Sequence, residues 1–213
     1  MAIKITTFPV GLYQCNCSII YCDDTLEAIV IDPGSEPEVI LGKISNQGLK
    51  VKYLLHTHAH LDHFSATAAV KTKCQAAAVL HKDDIFLYEL HETQSAMLGL
   101  PPTTITEIDQ YLEDEQIFEF GKGEIKTIFT PGHTPGSSSF SLELANELYL
   151  FSGDTLFNGG IGRTDLPGGD SDLIVKSIKN RLYTLDGDCR VIPGHGPDTL
   201  IGKEKRSNPF VRA

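Results

Sequence analysis

His56-Thr57-His58-Ala59-His60-Leu61-Asp62-His63 is the stretch on which the reading of this chain turns. It holds four of the protein's eight histidines and one carboxylate. Imidazole is the commonest protein ligand for zinc and iron, and carboxylate accompanies it on the same ions. The apolar run Tyr53-Leu54-Leu55 ahead of it reads as a short buried strand. On the extended segment that follows, His58 and His60 are two residues apart and project the same way. Asp62 and His63 are expected to open one helix through Ala66, Ala68, Ala69 and Val70 to about Cys74, turning back toward the same point. Such spacing is that of a metal cluster rather than of a histidine-rich surface loop. His56 lies outside the repeat and is expected to be a strand-end histidine with its hydrogen bonds satisfied.

Three later turns have the same look, a strand followed by a Gly- or Pro-rich corner that presents one side chain. Thr130-Pro131-Gly132-His133 presents His133, Ser152-Gly153-Asp154 presents Asp154, and Ile192-Pro193-Gly194-His195 presents His195. Glycine lets the backbone come close to a ligand, and proline stiffens the turn. The inventory is then five imidazoles and two carboxylates: His58, His60, His63, His133, His195, Asp62 and Asp154. That is enough for two metals with a shared Asp. With no cysteine among them, a closed structural zinc site fits badly, and calcium prefers an oxygen-only set. Two such ions can share one water and lower its pKa toward ~7, while polarising an attacked carbonyl. The chemistry indicated is metal-assisted hydrolysis.

The rest of the chain frames this cluster. Its 213 residues fit one domain spanning 1–213 with a sizeable core. The net charge of −10 argues against nucleic acid and anionic membrane as partners. No apolar run is long enough to span a bilayer, and Met1-Ala2-Ile3-Lys4-Ile5-Thr6 does not read as a signal peptide. Five cysteines, an odd number without CxxC spacing, favour free thiols in a reducing cytoplasm. Cys15 and Cys17 flank Asn16 on a strand and are expected in the core. Strands are expected over 3–9, 15–22, 26–32, 51–55, 77–80, 117–120, 124–130, 138–144, 147–152 and 190–192. Helices are expected over 36–47, 82–98 and 171–183, and 101–116 reads as a connector rather than a flap. Asp32-Pro33-Gly34 reads as a strand terminus in which Asp32 forms the turn. Strands interspersed with helices in both halves suggest two sheets packed face to face with helices outside.

The pattern His58-x-His60-x-Asp62-His63, followed in order by His133, Asp154 and His195, resembles the signature of the metallo-β-lactamase superfamily from about residue 15 to 196. The resemblance implies an α/β fold, an αββα sandwich with the site at one edge of two mixed sheets. It implies that His58, His60 and His133 hold one metal. Asp62, His63 and His195 would hold the other, with Asp154 bridging and Asp62 orienting an attacking hydroxide shared by both. The ions would be two divalent metals, zinc by preference, with iron or manganese acceptable to the same donors. Phe151-Ser152-Gly153-Asp154-Thr155-Leu156-Phe157, Gly162-Arg163-Thr164-Asp165 and Asn208-Pro209-Phe210 are similar to the glyoxalase II group in its short bacterial form. That group hydrolyses glutathione thioesters such as S-D-lactoylglutathione, so the implied partner is a small-molecule thioester.

The chain departs from two-domain glyoxalases II in one respect. Only 18 residues follow His195, too few for the helical domain that completes their glutathione pocket, so no separate C-terminal substrate domain is expected. Arg163 can serve a substrate carboxylate or pair with Asp165. Persulfide dioxygenases share the HxHxDH motif and a Gly-Arg-Thr-Asp stretch. Their single iron would sit here on His58, His133 and Asp154, making oxidation of glutathione persulfide the alternative to hydrolysis. An exported β-lactamase and an RNA-processing nuclease are set aside for want of a signal and of a basic nucleic-acid surface.

Overall fold

The computed structural model describes residues 3–212. Strands β1 (Ile3–Val10) and β2 (Cys15–Cys22) pair antiparallel from Ile3↔Cys22 to Val10↔Cys15, and β3 (Glu27–Ile31) joins β2 antiparallel. Helix α1 (Pro37–Asn46) then crosses over to β4 (Lys50–Leu55), which runs parallel to β3. After α2 (Leu61–Phe64) and α3 (Thr67–Cys74), β5 (Ala77–Leu80) adds parallel to β4. Helices α4 (Ile85–Glu89) and α5 (His91–Leu98) precede β6 (Gln110–Tyr111), the parallel edge strand of this six-stranded sheet.

The second sheet begins as an antiparallel meander of β7 (Ile117–Phe120), β8 (Gly123–Phe129), β9 (Ser138–Leu144) and β10 (Glu147–Gly153). A small ribbon of β11 (Leu156–Phe157) and β12 (Gly160–Ile161) follows. Helix α6 (Ser171–Ser177) continues as a π-helical turn over Ile178–Leu182. Strand β13 (Arg190–Pro193) then lies parallel to β10, β14 (Thr199–Leu200) closes the edge, and α7 (Ile201–Ser207) packs outside.

The two-residue period of the strands sorts the apolar side chains into layers. Ile20, Ile29, Leu55 and Val79 of the first sheet face Phe120, Ile125, Phe140 and Phe151 of the second. On the first sheet's other face, Ile19, Val30 and Leu54 pack against Ile40 and Ile44 of α1 and Val70 of α3. Behind the second sheet, Ile128, Leu150 and Val191 meet Ile174, Ile178, Leu182 and Ile201. The parallel strands are apolar on both faces because each is covered on both sides. The result is the expected αββα sandwich of two mixed sheets. Cys15 and Cys17 lie in its first helix-facing layer, and all five cysteines are free.

Local elements differ from the sequence pattern in four places. The helix expected from Asp62 to Cys74 is split, because the Ser65 and Ala66 amides donate to the carbonyls of Gly34 and Pro33 rather than only along the helix. The helix expected over 82–98 breaks at Leu90, where the Gln94 side chain takes the Leu87 carbonyl. Residues 101–116 form a connector, as expected, but one that supplies β6 and buries Leu112 between the sheets. The last residues, beyond 196, add β14 and α7, which short-range periodicity did not reveal.

Phe140 is completely buried between the two sheets. Phe140→Ala should lower the stability to urea by about 3–5 kcal/mol, the usual cost of such a cavity, without changing far-ultraviolet circular dichroism at low denaturant.

Candidate metal centre

All seven site residues predicted from sequence meet at one edge of the sandwich. Strand β4 delivers His56 to Leu61, α2 carries Asp62 and His63, and the loops after β8, β10 and β13 carry His133, Asp154 and His195. Backbone bonds join these loops: Ser138 N–H to Thr57 O at 2.8 Å, and Gly194 N–H to Gly153 O at 2.8 Å. One atom each from His58, His60 and His133 lies within 4.8 Å of the others, and the same holds for Asp62, His63 and His195. Asp154 stands between the two sets. Its Oδ1 is 3.4 Å from His63 Nε2, while its Oδ2 is 3.7 Å from both His133 Nε2 and His195 Nε2.

The hydrogen-bond partners assign the imidazole tautomers. Carbonyl oxygens only accept, so His133 Nδ1–H donates to Arg163 O at 2.7 Å and His195 Nδ1–H to Tyr13 O at 2.9 Å. His63 Nδ1–H donates to the Asp32 carboxylate at 3.0 Å. The single Thr57 hydroxyl proton goes to Asp32 at 2.7 Å, so Thr57 Oγ1 accepts from His58 Nδ1–H at 3.0 Å. Each of these four rings therefore turns its Nε2 lone pair toward the common centre. His63 Nε2 and His195 Nε2 face each other at 3.1 Å, and His133 Nε2 faces His60 Nδ1 at 2.9 Å.

The donors fit divalent cations. His58 Nε2 and Asp154 Oδ1 are buried polar atoms without any hydrogen-bond partner, which is costly unless a cation takes them up. Burial, then the neighbouring rings of His63, His133 and His60, push His58 well below the usual imidazole range, so it keeps its lone pair. At His63 burial opposes charge, but Cys15, Asp154, Asp62 and Asp32 outweigh it and raise the ring well above that range. Burial would raise the Asp62 carboxyl; instead His63 and His195 hold it low and ionised. Positive charge is thus favoured where the lone pairs converge.

The sequence pattern missed the groups that hold this geometry. Asp32 is not merely a turn residue: its Oδ1 also accepts the Thr57 amide at 2.8 Å, so it fixes both His58 and His63. Asp84 is buried and accepts from Ala59 N at 2.9 Å, Thr134 Oγ1 at 2.8 Å and Gly136 N at 2.6 Å, tying the His58–His60 loop to the His133 loop. Burial raises its carboxyl above the usual range, and the three donors work against that. Asn16 reaches from β2 to hold the His195 turn, donating through Nδ2 to Pro193 O and Gly196 O, each at 2.9 Å. A lone Asp or Asn at a strand end carries no local sign of a partner dozens of residues away. His56 is as expected, donating to Val79 O at 2.9 Å and accepting from Thr67 at 2.7 Å. His81, left out of the ligand set, stacks on Phe129.

Above the cluster opens a cleft of about 530 Å³, floored by His60, Asp62, His133, Asp154 and His195. Residues 10–195 match the family model described as the metallo-beta-lactamase superfamily. The chain belongs to the metallo-beta-lactamase superfamily. Among relatives, hydroxyacylglutathione hydrolase GloC of Haemophilus influenzae is 39% identical over 212 residues, covering 99% of each chain. Among solved structures, the BLEG-1 B3 metallo-beta-lactamase superposes with TM-score 0.85 at 35% identity, covering 99% of this chain and 100% of that one. TTHA1623, crystallised in a di-iron-bound form, gives TM-score 0.83 at 34% identity, covering 97% and 100%. With its His/Asp cluster, the protein is a metal-dependent hydrolase of this superfamily. Among the described residues, no helix is long and apolar enough to cross a membrane.

Two residues of the superfamily site take roles set by packing. The Arg163 guanidinium makes two 2.7 Å bonds to the Asp165 carboxylate, while its backbone carbonyl orients His133. Of the two roles open to Arg163, the ion pair is the one present here. Gly194 sits so close to the cluster that a Cβ there would overlap Asp154 Oδ1 and come within 2.7 Å of His63 Cε1. Gly194→Ala should therefore displace the Asp154 carboxylate and lower metal content in a fixed-metal dialysis. Asp32→Asn would present an amide N–H to His63 Nδ1 and favour the wrong tautomer. Metal affinity should drop about 10–100-fold, as for other groups that orient ligands, with the circular dichroism spectrum unchanged.

Proposed function

We propose that this protein is a binuclear metal-dependent thioester hydrolase acting on acyl-glutathiones of the S-D-lactoylglutathione kind. The observation that carries this reading is the position of Asp154, whose two oxygens reach toward both ligand sets. His58, His60 and His133 would hold one ion, Asp62, His63 and His195 the second, and Asp154 both. Whole-length similarity to hydroxyacylglutathione hydrolase GloC supports the substrate class. The neutral imidazole and carboxylate donors suit zinc, with iron or manganese admissible. The di-iron form of TTHA1623 fits that breadth.

When bound, such ions supply a nucleophile at neutral pH and Lewis acidity toward the carbonyl. The protein's own groups provide the rest. Asp62, on the cleft floor with Oδ2 3.2 Å from His195 Nε2, is placed to orient the attacking water and hold its proton. Asp32, Thr57, Arg163 and Tyr13 keep the imidazoles aimed, so the site needs little rearrangement during reaction. A thiolate leaves without a strong general acid, and the described lining of the cleft presents no imidazole besides His60, His133 and His195 to serve as one. The free thiols and acidic surface suit a cytoplasmic protein with a small-molecule substrate, without nucleic acid or membrane as partner.

Protein purified without added metal should contain two divalent ions per chain and hydrolyse S-D-lactoylglutathione. His58→Ala and Asp154→Asn should each lower kcat/KM at least about 10³-fold, the scale of lost charge stabilisation in acyl transfer, while the fold is retained by circular dichroism. One iron per chain with persulfide-dependent oxygen uptake, and no thioester turnover, would overturn the proposal. So would turnover of a chromogenic β-lactam in place of any thioester.

A further inference from the structure

Resting on the thioesterase reading, a second property concerns the acyl group. The cleft is walled on one side by Leu87, Leu90 and Met97 of the α4–α5 segment and on the other by Phe157, Ile161 and Leu166. Leu90 and Met97 are 42% and 71% exposed, although nothing in the core requires them there. The polar side chains above the floor are nearly all committed elsewhere. Tyr13 Oη donates to Leu98 O at 3.0 Å, and Arg163 is held by Asp165. Gln94 accepts from Leu61 N at 2.9 Å and donates to Ala59 O at 3.0 Å and Leu87 O at 2.8 Å. Thr93 alone makes no such bond. The bonds of Gln94 also tie the apolar face of α5 to the His58–His60 loop, so this wall has a set position over the cluster.

A hydroxyacyl group would find little in these walls to receive its hydroxyl. The thiol carriers of cellular thioesters bear amides or carboxylates within a few bonds of sulfur. The acyl chain is therefore the part of such a substrate that matches an apolar wall next to the reacting carbonyl. A volume of about 530 Å³ is also more than a three-carbon acyl group fills. We propose that the cleft is an acyl pocket selecting apolar, medium-length or aromatic acyl groups over hydroxyacyl groups. The reaction is ordinary hydrolysis: a water oxygen bonds to the carbonyl carbon, and the C–S bond breaks with its electron pair on sulfur. One carboxylate, one thiol and one proton result at neutral pH.

The test is a kcat/KM series on metal-loaded enzyme with acetyl-, propanoyl-, butanoyl-, hexanoyl-, octanoyl- and S-D-lactoylglutathione. Values should rise about fourfold per methylene until the pocket is filled, and lactoyl should fall below propanoyl. Met97→Gln and Leu90→Gln should each flatten that slope. A flat series, or a preference for lactoyl over propanoyl, overturns the apolar pocket and leaves the thioesterase reading standing. If no thioester is hydrolysed, the thioesterase reading fails, and calorimetric binding of octanoate and lactate to the metal-loaded protein decides the pocket. Tighter octanoate binding supports it; equal or weaker binding overturns it.

Discussion

The site depends on one repeated interaction: an imidazole gives its Nδ1–H to a fixed acceptor and so presents its Nε2 lone pair to the centre. The acceptors are Thr57 Oγ1 for His58, Asp32 for His63, Arg163 O for His133 and Tyr13 O for His195. None of these is a ligand, yet together they decide the direction of four lone pairs. Two of them are backbone carbonyls, which depend on the path of the chain rather than on side-chain identity. The lone pairs of His63 and His195 confronting each other at 3.1 Å show how strongly the fold favours cations there.

Behind that geometry stand two carboxylates that the solvent does not reach. Asp32 and Asp84 are both buried, and burial of a carboxylate is unfavourable unless donors surround it. Each is met by three donors, and those donors lie on the loops that bear the histidines. Stability of the buried carboxylates and position of the ligand loops are thus one arrangement. Asn16 does the same at the His195 turn, from the opposite sheet. The two sheets are consequently held together at the site edge by hydrogen bonds as well as by the apolar layer between them.

The cleft follows from a break in regular structure. Had residues 82–98 formed one straight helix, Gln94 would have no free Leu87 carbonyl to take, and Leu90 and Met97 would not share a wall over the cluster. The bend turns an amphipathic segment into part of a pocket, with its polar bonds directed at the metal-ligand loop. This links the proposed acyl selectivity to the same residues that order His58 and His60.

Much of this protein was legible without coordinates. The HxHxDH run and the Pro-Gly-His and Ser-Gly-Asp turns identified all seven convergent residues, because ligand type and turn chemistry are written within a few positions. Strand period and the β-branched runs placed nearly every strand of both sheets, since that signal is local too. Helix breaks at Ser65–Ala66 and Leu90 were not legible, because propensity favours continuation and only distant bonds oppose it. Nor were the roles of Asp32, Asp84 and Asn16, which differ from ordinary turn residues only in what lies across the fold. By itself the sequence determined the elements and the ligand set; tertiary structure alone decided the tautomers, the anchoring carboxylates and the apolar cleft, since each requires groups far apart in the chain to meet.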